Sequence, residues 1–498
     1  MTAIMRLNLE VLLVTTSALL LTAASSGMAA QTPSRAKPAP KTLAGEIDKI
    51  VDQKDVASAQ IGVFVMSLSD GKVLYDRQAD KLFMPASALK TVTSAAALDK
   101  LGPDYRYHTP VLADAAPDAA GTIKGNLYLK GSGDPVLATE HLRKLAADLK
   151  ARGVKQIAGD LVCDDSCFDK DRIGSGWSYD YLPWYYAMEV SGLSVNHNAV
   201  WLRVVPGEKE GDPATVTMIP QTDYVKLSNE VTTAAQGTRR RFFSWRNLPD
   251  NTFQLRGQIA LGGRTVTEGM TVTDATLYAA TLFREQLAAE GITVTGTVRA
   301  DVVPAGATEL ASYESAPMSE IIALLNKPSD NHIAEQLIKT LGATDGSGTW
   351  RRGIGVVRSF LRKAGINPDG PYLADGSGLS RLDMIAPRML AQVLRYMHSH
   401  PQAKVYRDSL PIAGVDGSLR LRLRGTPAEK NVYAKPGYVM SVSTLAGYVN
   451  DRDGKPLVFA FMANNYLCPT SVIRGMQDGL CTLLASSSIG TGRVARMR

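Results

Sequence analysis

The sequence contains no Gly-x-Ser-x-Gly and no His-Glu-x-x-His. The first absence removes the usual strained elbow of serine hydrolases, and the second removes the paired-histidine zinc site of metalloproteases. Histidine is scarce, at six residues, and His108, His141, His197, His332, His398 and His400 sit in no recognisable triad context. Cysteine is scarcer, at four: Cys163, Cys167, Cys468 and Cys481. Neither close pair has histidines nearby at ligand spacing, so no metal site is expected. No internal repeat is evident. After residue 30 no stretch is long and apolar enough to span a membrane. Compositional extremes are lacking too. Of 498 residues, 45% are hydrophobic and 21% charged, and mean hydropathy is −0.06. A wholly disordered, collagenous or coiled-coil chain is thereby excluded. The net charge of +7 is a mild excess that favours anionic surroundings.

What is present begins with a leader. Arg6 precedes an apolar run from Val11 to Ala24, and small residues follow as far as Ala29-Ala30. This is the layout of a cleaved secretory signal over residues 1–30, cut after Ala29 or Ala30. The run is shorter than the ~20 residues a span needs. No cysteine follows to take a lipid. The mature protein is therefore expected to be periplasmic or secreted, with no integral membrane segment. A Pro-rich flexible lead occupies 31–42. Export favours disulfides. Four cysteines allow three pairings, of which Cys163–Cys167 with Cys468–Cys481 is simplest. The sequence leaves that choice open, along with four reduced thiols.

The remaining chain reads as α/β (α+β). A short amphipathic helix from Leu43 buries Ile47, Ile50 and Val51. Ile61–Met66 and Val73–Tyr75 form a hairpin across Asp70-Gly71. Pro85 opens a helix ending at Leu101, before Gly102-Pro103. Short β-like runs dominate 112–311: residues 123–129, 157–162, 200–205, 214–219 and 252–260. Helical patterns cover 138–152, 275–290 and 317–341, and helices dominate again from 353 to 398. Strands return at 432–435, 444–450 and 456–462, before a last helix at about 471–485. The expected architecture is an antiparallel sheet with helices on both sides, built from 43–111 and 312–498. It is interrupted by a β-rich insert, 112–311, of one or two nested subdomains.

Serine with lysine as its base is the chemistry the residues leave open. Ser-x-x-Lys occurs at Ser34/Lys37, Ser69/Lys72 and Ser87/Lys90. The first lies in the Pro-rich lead and the second on the Asp70-Gly71 turn. Only Ser87 opens a helix, where residues three apart share a face and touch. Free N–H groups at a helix start also suit an oxyanion. Flanking Phe83, Met84, Leu89 and Val92 would dry the site, and burial beside a second cation lowers a lysine pKa. A proton relay is offered by Ser329-Asp330-Asn331, exposed between two helices because Pro328 breaks the chain. A facing cation is offered by Lys435-Pro436-Gly437 on a strand. Gly437 permits close backbone approach there, and the N–H of Tyr438 is a second oxyanion donor beside that of Ser87. Pro436 has no N–H, which fits only an edge strand or one whose ladder is broken there.

Taken in order, Ser87-x-x-Lys90, Ser329-x-Asn331 and Lys435-x-Gly437 resemble the three motifs of penicillin-recognising serine D,D-peptidases and serine β-lactamases. Further segments resemble one subgroup, the class C low-molecular-mass (penicillin-binding protein 4-like) penicillin-binding proteins. They are Gly131-Ser132-Gly133-Asp134-Pro135, Gly159-Asp160-Leu161-Val162, Gly192-Leu193-Ser194-Val195-Asn196, Asp375-Gly376-Ser377-Gly378-Leu379-Ser380-Arg381 and Gly414-Val415-Asp416-Gly417. The resemblance implies a β-lactamase/transpeptidase-like catalytic domain, with the long gap between Ser87 and Ser329 as the insert. It implies a serine-type D-Ala-D-Ala carboxypeptidase or D,D-endopeptidase that acts on peptidoglycan stem peptides, is acylated by β-lactams at Ser87 and needs no cofactor. Ser87, Lys90, Ser329, Asn331 and Lys435 carry the catalytic roles, with Gly437 lining the substrate cleft. By position, Asp180 is the insert's acidic residue toward the substrate side chain, and Arg381 is its counterpart near the catalytic domain.

One residue departs from the pattern. The third motif usually carries Thr or Ser between Lys and Gly, and its hydroxyl helps hold the substrate's terminal carboxylate. Pro436 stands there instead, which leaves that task to Lys435 with Ser441 or Ser443. A competing reading follows: a catalytically weakened protein that binds or scaffolds wall polymers. The run Arg239-Arg240-Arg241 and the tail Arg493, Arg496 and Arg498 would then touch anionic envelope polymers. Nucleic acid is not an expected partner of an exported chain, and the sequence does not give the oligomeric state.

Overall fold

The computed structural model describes residues 42–489, apart from Pro249, Asp345 and Gly346. The expected leader, residues 31–41 of the lead and the tail arginines lie outside the described residues.

The elements that frame the site follow from clear local signals. Helix α1 (Leu43–Val51) is capped by Thr42, whose hydroxyl accepts the N–H of Gly45 at 3.1 Å. Strands β1 (Gln60–Ser67) and β2 (Val73–Arg77) form the expected hairpin. A 3-10 turn, Ala86–Leu89, leads into α2 (Lys90–Leu101), which stops at Gly102 with φ 84°. Strands β3 (His108–Ala113) and β4 (Thr308–Glu314) bracket the insert. Helices α3 (Met318–Asn326) and α4 (Asn331–Ala343) are separated at Pro328, where the sequence breaks them. Then come α5 (Trp350–Lys363), α6 (Pro387–His398), strands β5 (Val432–Val439), β6 (Val442–Asn450) and β7 (Pro456–Asn464), and helix α7 (Thr470–Ser486).

The catalytic sheet is antiparallel, in the order β5-β6-β7-β1-β2. Its inner strands are buried on both faces, so β7 reads as a near-continuous apolar run, and β6 is buried even at Ser443 and Thr444. Successive residues nonetheless serve opposite cores, as the two-residue strand period requires. Phe64, Met66, Tyr448, Ala460 and Met462 join the core that contains α2, α3, α4 and α6. Val63, Val65, Leu445, Phe459 and Phe461 join the other, beneath α1 and α7. Strand β5 lies at the edge, which is where Pro436 can sit without removing a needed ladder bond.

The insert leaves and returns through one antiparallel pair. His108 on β3 faces Glu314 on β4, and its ring lies 2.6 Å from Glu314 and 3.2 Å from Glu309. Positions 112 and 311 both fall inside these strands. β3 and β4 belong to a five-stranded sheet whose other members (residues 127–130, 161–164 and 298–300) pair in parallel. Small three-stranded sheets complete the insert, with helices Thr139–Ala151 and Ala275–Ala289. A single buried core runs through it, from Val111 to Ala311.

Of the states the sequence left open, the structure shows the reduced one: all four cysteines are free thiols. Cys163 is buried in the insert core, opposite Leu129 on the neighbouring strand. The thiol of Cys167 instead turns toward the carbonyl of Gly192, at 3.7 Å. Cys481 is fully buried on α7 beneath the sheet, whereas Cys468 is half-buried before that helix begins. Among the described residues, no helix is long and apolar enough to cross a membrane.

Candidate active site

The 3-10 turn that carries Ser87 is held from several sides. Asn464, at the end of β7, accepts the N–H of Met84 at 2.7 Å and donates back to its carbonyl at 3.2 Å. Thr444 on β6 donates to the carbonyl of Pro85 at 2.8 Å. Ala86 is then forced to φ 46°, a left-handed value that is costly for a residue with a side chain. Gly378 packs from the opposite side. It has φ 77°, and a Cβ there would stand 1.9 Å from the carbonyl oxygen of Ala86. Only glycine fits this joint.

Lys90, one helical turn after Ser87, is completely buried. Its Nζ lies 2.8 Å from Ser87 Oγ, 2.7 Å from Asn331 Oδ1 and 2.8 Å from the carbonyl oxygen of Ser377. Burial lowers its pKa to about 8, against the pull of nearby Asp375, Glu335 and Asp330. Asn331 is spent at both ends, since its Nδ2 donates to the carbonyl of Tyr186 at 2.7 Å. Lys435, also completely buried, donates to Ser329 Oγ at 2.7 Å and to its own Pro436 carbonyl at 2.9 Å. Burial, with the charge of Lys90, holds Lys435 well below its ordinary pKa. Ser329 itself has φ 71°. The five side chains singled out in the sequence thus converge from the 3-10 turn and the start of α2, the α3–α4 junction and β5.

Gly437 brings β5 against the turn. A Cβ there would meet Thr444 Oγ1 at 2.3 Å, Pro85 O at 2.8 Å and Ser87 N at 2.8 Å. The backbone after Gly437 therefore runs beside the N–H of Ser87, the arrangement two oxyanion donors require. The cleft opens on two sides of Ser329. One cavity, of about 380 Å³, is lined by Ser87, Ser329, Pro436, Tyr438, Arg422 and Arg474. The other, of about 570 Å³, reaches the insert through Tyr185, Tyr186, His197 and Trp201. A larger opening of about 990 Å³ lies against Asp169–Ile173 and contains none of the five side chains.

Two further predicted residues, Asp180 and Arg381, are exposed. Asp180 is exposed on the short turn Tyr179–Tyr181 and is unpaired among the described residues. Its segment is tied down nearby by Trp177, whose indole donates to Asp375 at 2.9 Å. Arg381 is exposed and donates to the carbonyl of Met440 at 3.3 Å, on the rim by the β5–β6 turn. Of the serines offered in place of the third-motif hydroxyl, Ser443 is buried and accepts from Gln477 at 3.1 Å. Ser441 forms the β5–β6 turn, with φ 59°.

Other site residues were not evident from motifs. Glu335 is buried beneath the cluster and accepts the N–H groups of Gly376 and Ser377, at 3.1 and 2.8 Å. It thereby fixes the loop whose Ser377 carbonyl meets Lys90. Burial and neighbouring Asp375 raise its pKa to about 7. Its spacing was the available signal, because Asn331 and Glu335 share a helix face one turn apart. His197 is the second such residue. Its Nδ1 lies 3.0 Å from Asp330, inside the second motif. It is carried on three consecutive left-handed residues, Asn196–Asn198, with φ 50°, 57° and 50°.

Comparison with known proteins bears on the family and the fold. Residues 43–487 match the model of the D-Ala-D-Ala carboxypeptidase 3 (S13) family. The D-alanyl-D-alanine carboxypeptidase of Actinomadura sp. (strain R39) is 36% identical over 458 residues, which cover 89% of this chain and 84% of that protein. The crystal structure of penicillin binding protein 4 (dacB) from Haemophilus influenzae superposes with a TM-score of 0.77 at 27% identity, covering 88% of this chain and 97% of that one. The same protein complexed with a β-lactam superposes with a TM-score of 0.71 at 25% identity, covering 87% and 97%. The fold is accordingly the β-lactamase-like fold of penicillin-binding protein 4, with its extra subdomains. A buried Ser–Lys pair with a second Ser–Lys pair facing it, on this fold and within this match, identifies the chain as a member of the S13 family and a serine-type D-Ala-D-Ala carboxypeptidase.

Proposed function

We propose that the protein is exported and trims or opens peptidoglycan, through an acyl-enzyme on Ser87. Its substrates are stem peptides ending in D-Ala-D-Ala, cut as a carboxypeptidase, and D-Ala–diaminopimelate cross-links, cut as an endopeptidase. The observation that carries this reading is the hydrogen-bonding of Lys90. A neutral amine has two N–H groups and one lone pair. Asn331 Oδ1 and the Ser377 carbonyl are both acceptors without a proton to give, so they take the two N–H groups. The lone pair is left facing Ser87 Oγ, as a general base requires.

The steps follow. Ser87 Oγ attacks the carbonyl carbon of the penultimate D-Ala while its proton passes to Lys90. The oxyanion is met by the N–H groups of Ser87 and Tyr438. The C–N bond then breaks as Ser329 hands its proton to the leaving amine and takes in exchange the proton that Lys90 received from Ser87, which leaves Lys90 neutral again, with Lys435 holding the Ser329 hydroxyl in place. Water takes the position of the departed amine and attacks the ester while Lys90 takes its proton, and Lys90 returns that proton to Ser87 Oγ as the ester C–O bond breaks. Asn331 keeps Lys90 aligned and, once substrate displaces the Tyr186 carbonyl, can meet the substrate amide. β-Lactams present the same carbonyl in a strained ring and would stop at the acyl stage. A weakened wall-binding protein remains the second reading, favoured by Pro436. Against it stands the complete, buried hydrogen-bonded set of Ser87, Lys90, Ser329, Asn331 and Lys435.

The test incubates purified mature protein and Ser87→Ala with labelled penicillin, a D-Ala-D-Ala-ended stem pentapeptide and a cross-linked dimer. Wild type should be labelled once per chain and release D-Ala, and Ser87→Ala should do neither. Absence of labelling on the wild type would refute the enzymatic reading. Export is checked by fractionation and by sequencing the mature N-terminus, expected after Ala29 or Ala30.

A further inference from the structure

The cavity beside Pro436 lacks the hydroxyl that its position in the third motif would normally supply, and nothing in the site so far replaces it. Lys435 already donates to Ser329 and to the Pro436 carbonyl, and is buried. Thr444 is held by the Pro85 carbonyl and Ser443 by Gln477. Two guanidinium groups line the same cavity, Arg422 and Arg474. Arg422 is committed, with bonds of 3.0 and 2.7 Å to Asp478 and one of 3.1 Å to Gln477. Arg474 differs: it is exposed on the first turns of α7, with no carboxylate in ion-pair range among the described residues. Its guanidinium carbon lies 5.7 Å from the ring centre of Tyr438, the residue that follows Gly437 on β5. A planar fork steadied over an aromatic ring is pre-arranged to accept a carboxylate through two parallel hydrogen bonds.

We propose that Arg474, steadied by Tyr438, reads the free terminal carboxylate of the substrate's leaving residue, in place of the hydroxyl lost at Pro436. The inference rests on the enzymatic reading above and assigns the specificity of that same site. The substrate class it selects is a peptide whose leaving D-amino acid bears an ionised α-carboxylate. The chemistry is self-consistent with the neighbours. A hydroxyl supplies one neutral hydrogen bond, whereas the guanidinium supplies charge and two donors, and it approaches from α7 rather than from β5.

The test compares wild type, Arg474→Gln and Arg474→Lys on two substrates, a stem peptide ending in D-Ala-D-Ala and its C-terminal carboxamide. Labelling to saturation with penicillin first counts competent sites in each preparation. Arg474→Gln should lower the ratio of kcat/KM for carboxylate over carboxamide on the order of 100-fold, the scale of a lost charge-assisted fork. The loss should fall mainly in KM, with Arg474→Lys intermediate because it keeps the charge without the fork. A ratio within about twofold of wild type would overturn the assignment, since a polar reader changes the preference far more. An equal loss on both substrates would overturn it too, because that is how a displaced Tyr438 would behave. A wild type that penicillin does not label at all would instead overturn the enzymatic reading, and the inference with it.

Discussion

Lys90 shows how one side chain is tuned by its surroundings. An ordinary lysine has a pKa of 10.5, and burial lowers this one to about 8. Only the neutral amine can take the Ser87 proton, so acylation should rise with pH and level off above about 8. At pH 7 roughly a tenth of the chains would carry the neutral base, against less than one in a thousand for an unshifted lysine. The prediction is a second-order rate of penicillin acylation that climbs about tenfold per pH unit below pH 7. Stopped-flow or quenched labelling between pH 5.5 and 9.5 checks it, and a flat profile would contradict the assigned base. Ser87 and Lys90 were legible because a three-residue spacing at a helix start has a geometric meaning. Glu335 and His197 were not, because each acts through a residue distant in sequence. Asp180 was placed by position in a motif alone, and it lies exposed on its short turn.

Elements bring these residues into register, and their joints are tighter than their interiors. The loop of residues 375–381 presses on the serine turn through Gly378 and delivers the Ser377 carbonyl to Lys90 in the same stretch. Gly378→Ala adds a methyl where only 1.9 Å is available, at φ 77°. It should cost on the order of 2 kcal/mol in stability and slow acylation at least tenfold. Chemical denaturation and penicillin labelling measure the two effects separately; a variant with wild-type acylation would show that this joint does not position Lys90. The helices and the apolar strands were readable from periodicity and from Pro and Gly punctuation. Strands Lys226–Ala234 and Arg241–Arg246 escaped because the first is largely polar, the second is bounded by arginines, and neither fully buries more than two residues. The continuous burial of β6 and β7 likewise hid which residue faces which core, since nothing alternates in their sequence.

Across the whole molecule, the sheet is assembled from both ends of the described chain, and the insert is spliced between them. The motif order made this legible, because a long gap between Ser87 and Ser329 has to be accommodated outside the sheet. What the order could not give was the seam. β3 and β4 pair as a ladder that belongs to the insert's own sheet, and a boundary drawn from composition cuts both strands. Nor could it give the state of the cysteines, because sequence proximity says nothing of which way a thiol faces. Cys163 and Cys481 are fully buried, and burial raises both thiols far above their ordinary pKa. Native protein should therefore leave at least these two unreacted with a thiol reagent, while unfolding in denaturant without reductant should release four. Mass spectrometry after alkylation counts them, and fewer than four in the unfolded chain would reveal a disulfide.

The strand order has a consequence for when the enzyme can first act. Ser87 and Lys90 are made early, but Lys435 and the strand that offers Tyr438 come near the end, and β7, which clamps Met84, comes later still. During synthesis the nucleophile has no facing cation, no second oxyanion donor and no clamp on its turn. A chain stopped before β5 would hold a serine and a lysine on a helix, and no hydrolytic centre. The interleaving of first and last strands works as an interlock: bond-cutting capacity arrives only with completion, and no separate inhibitory segment is needed to delay it.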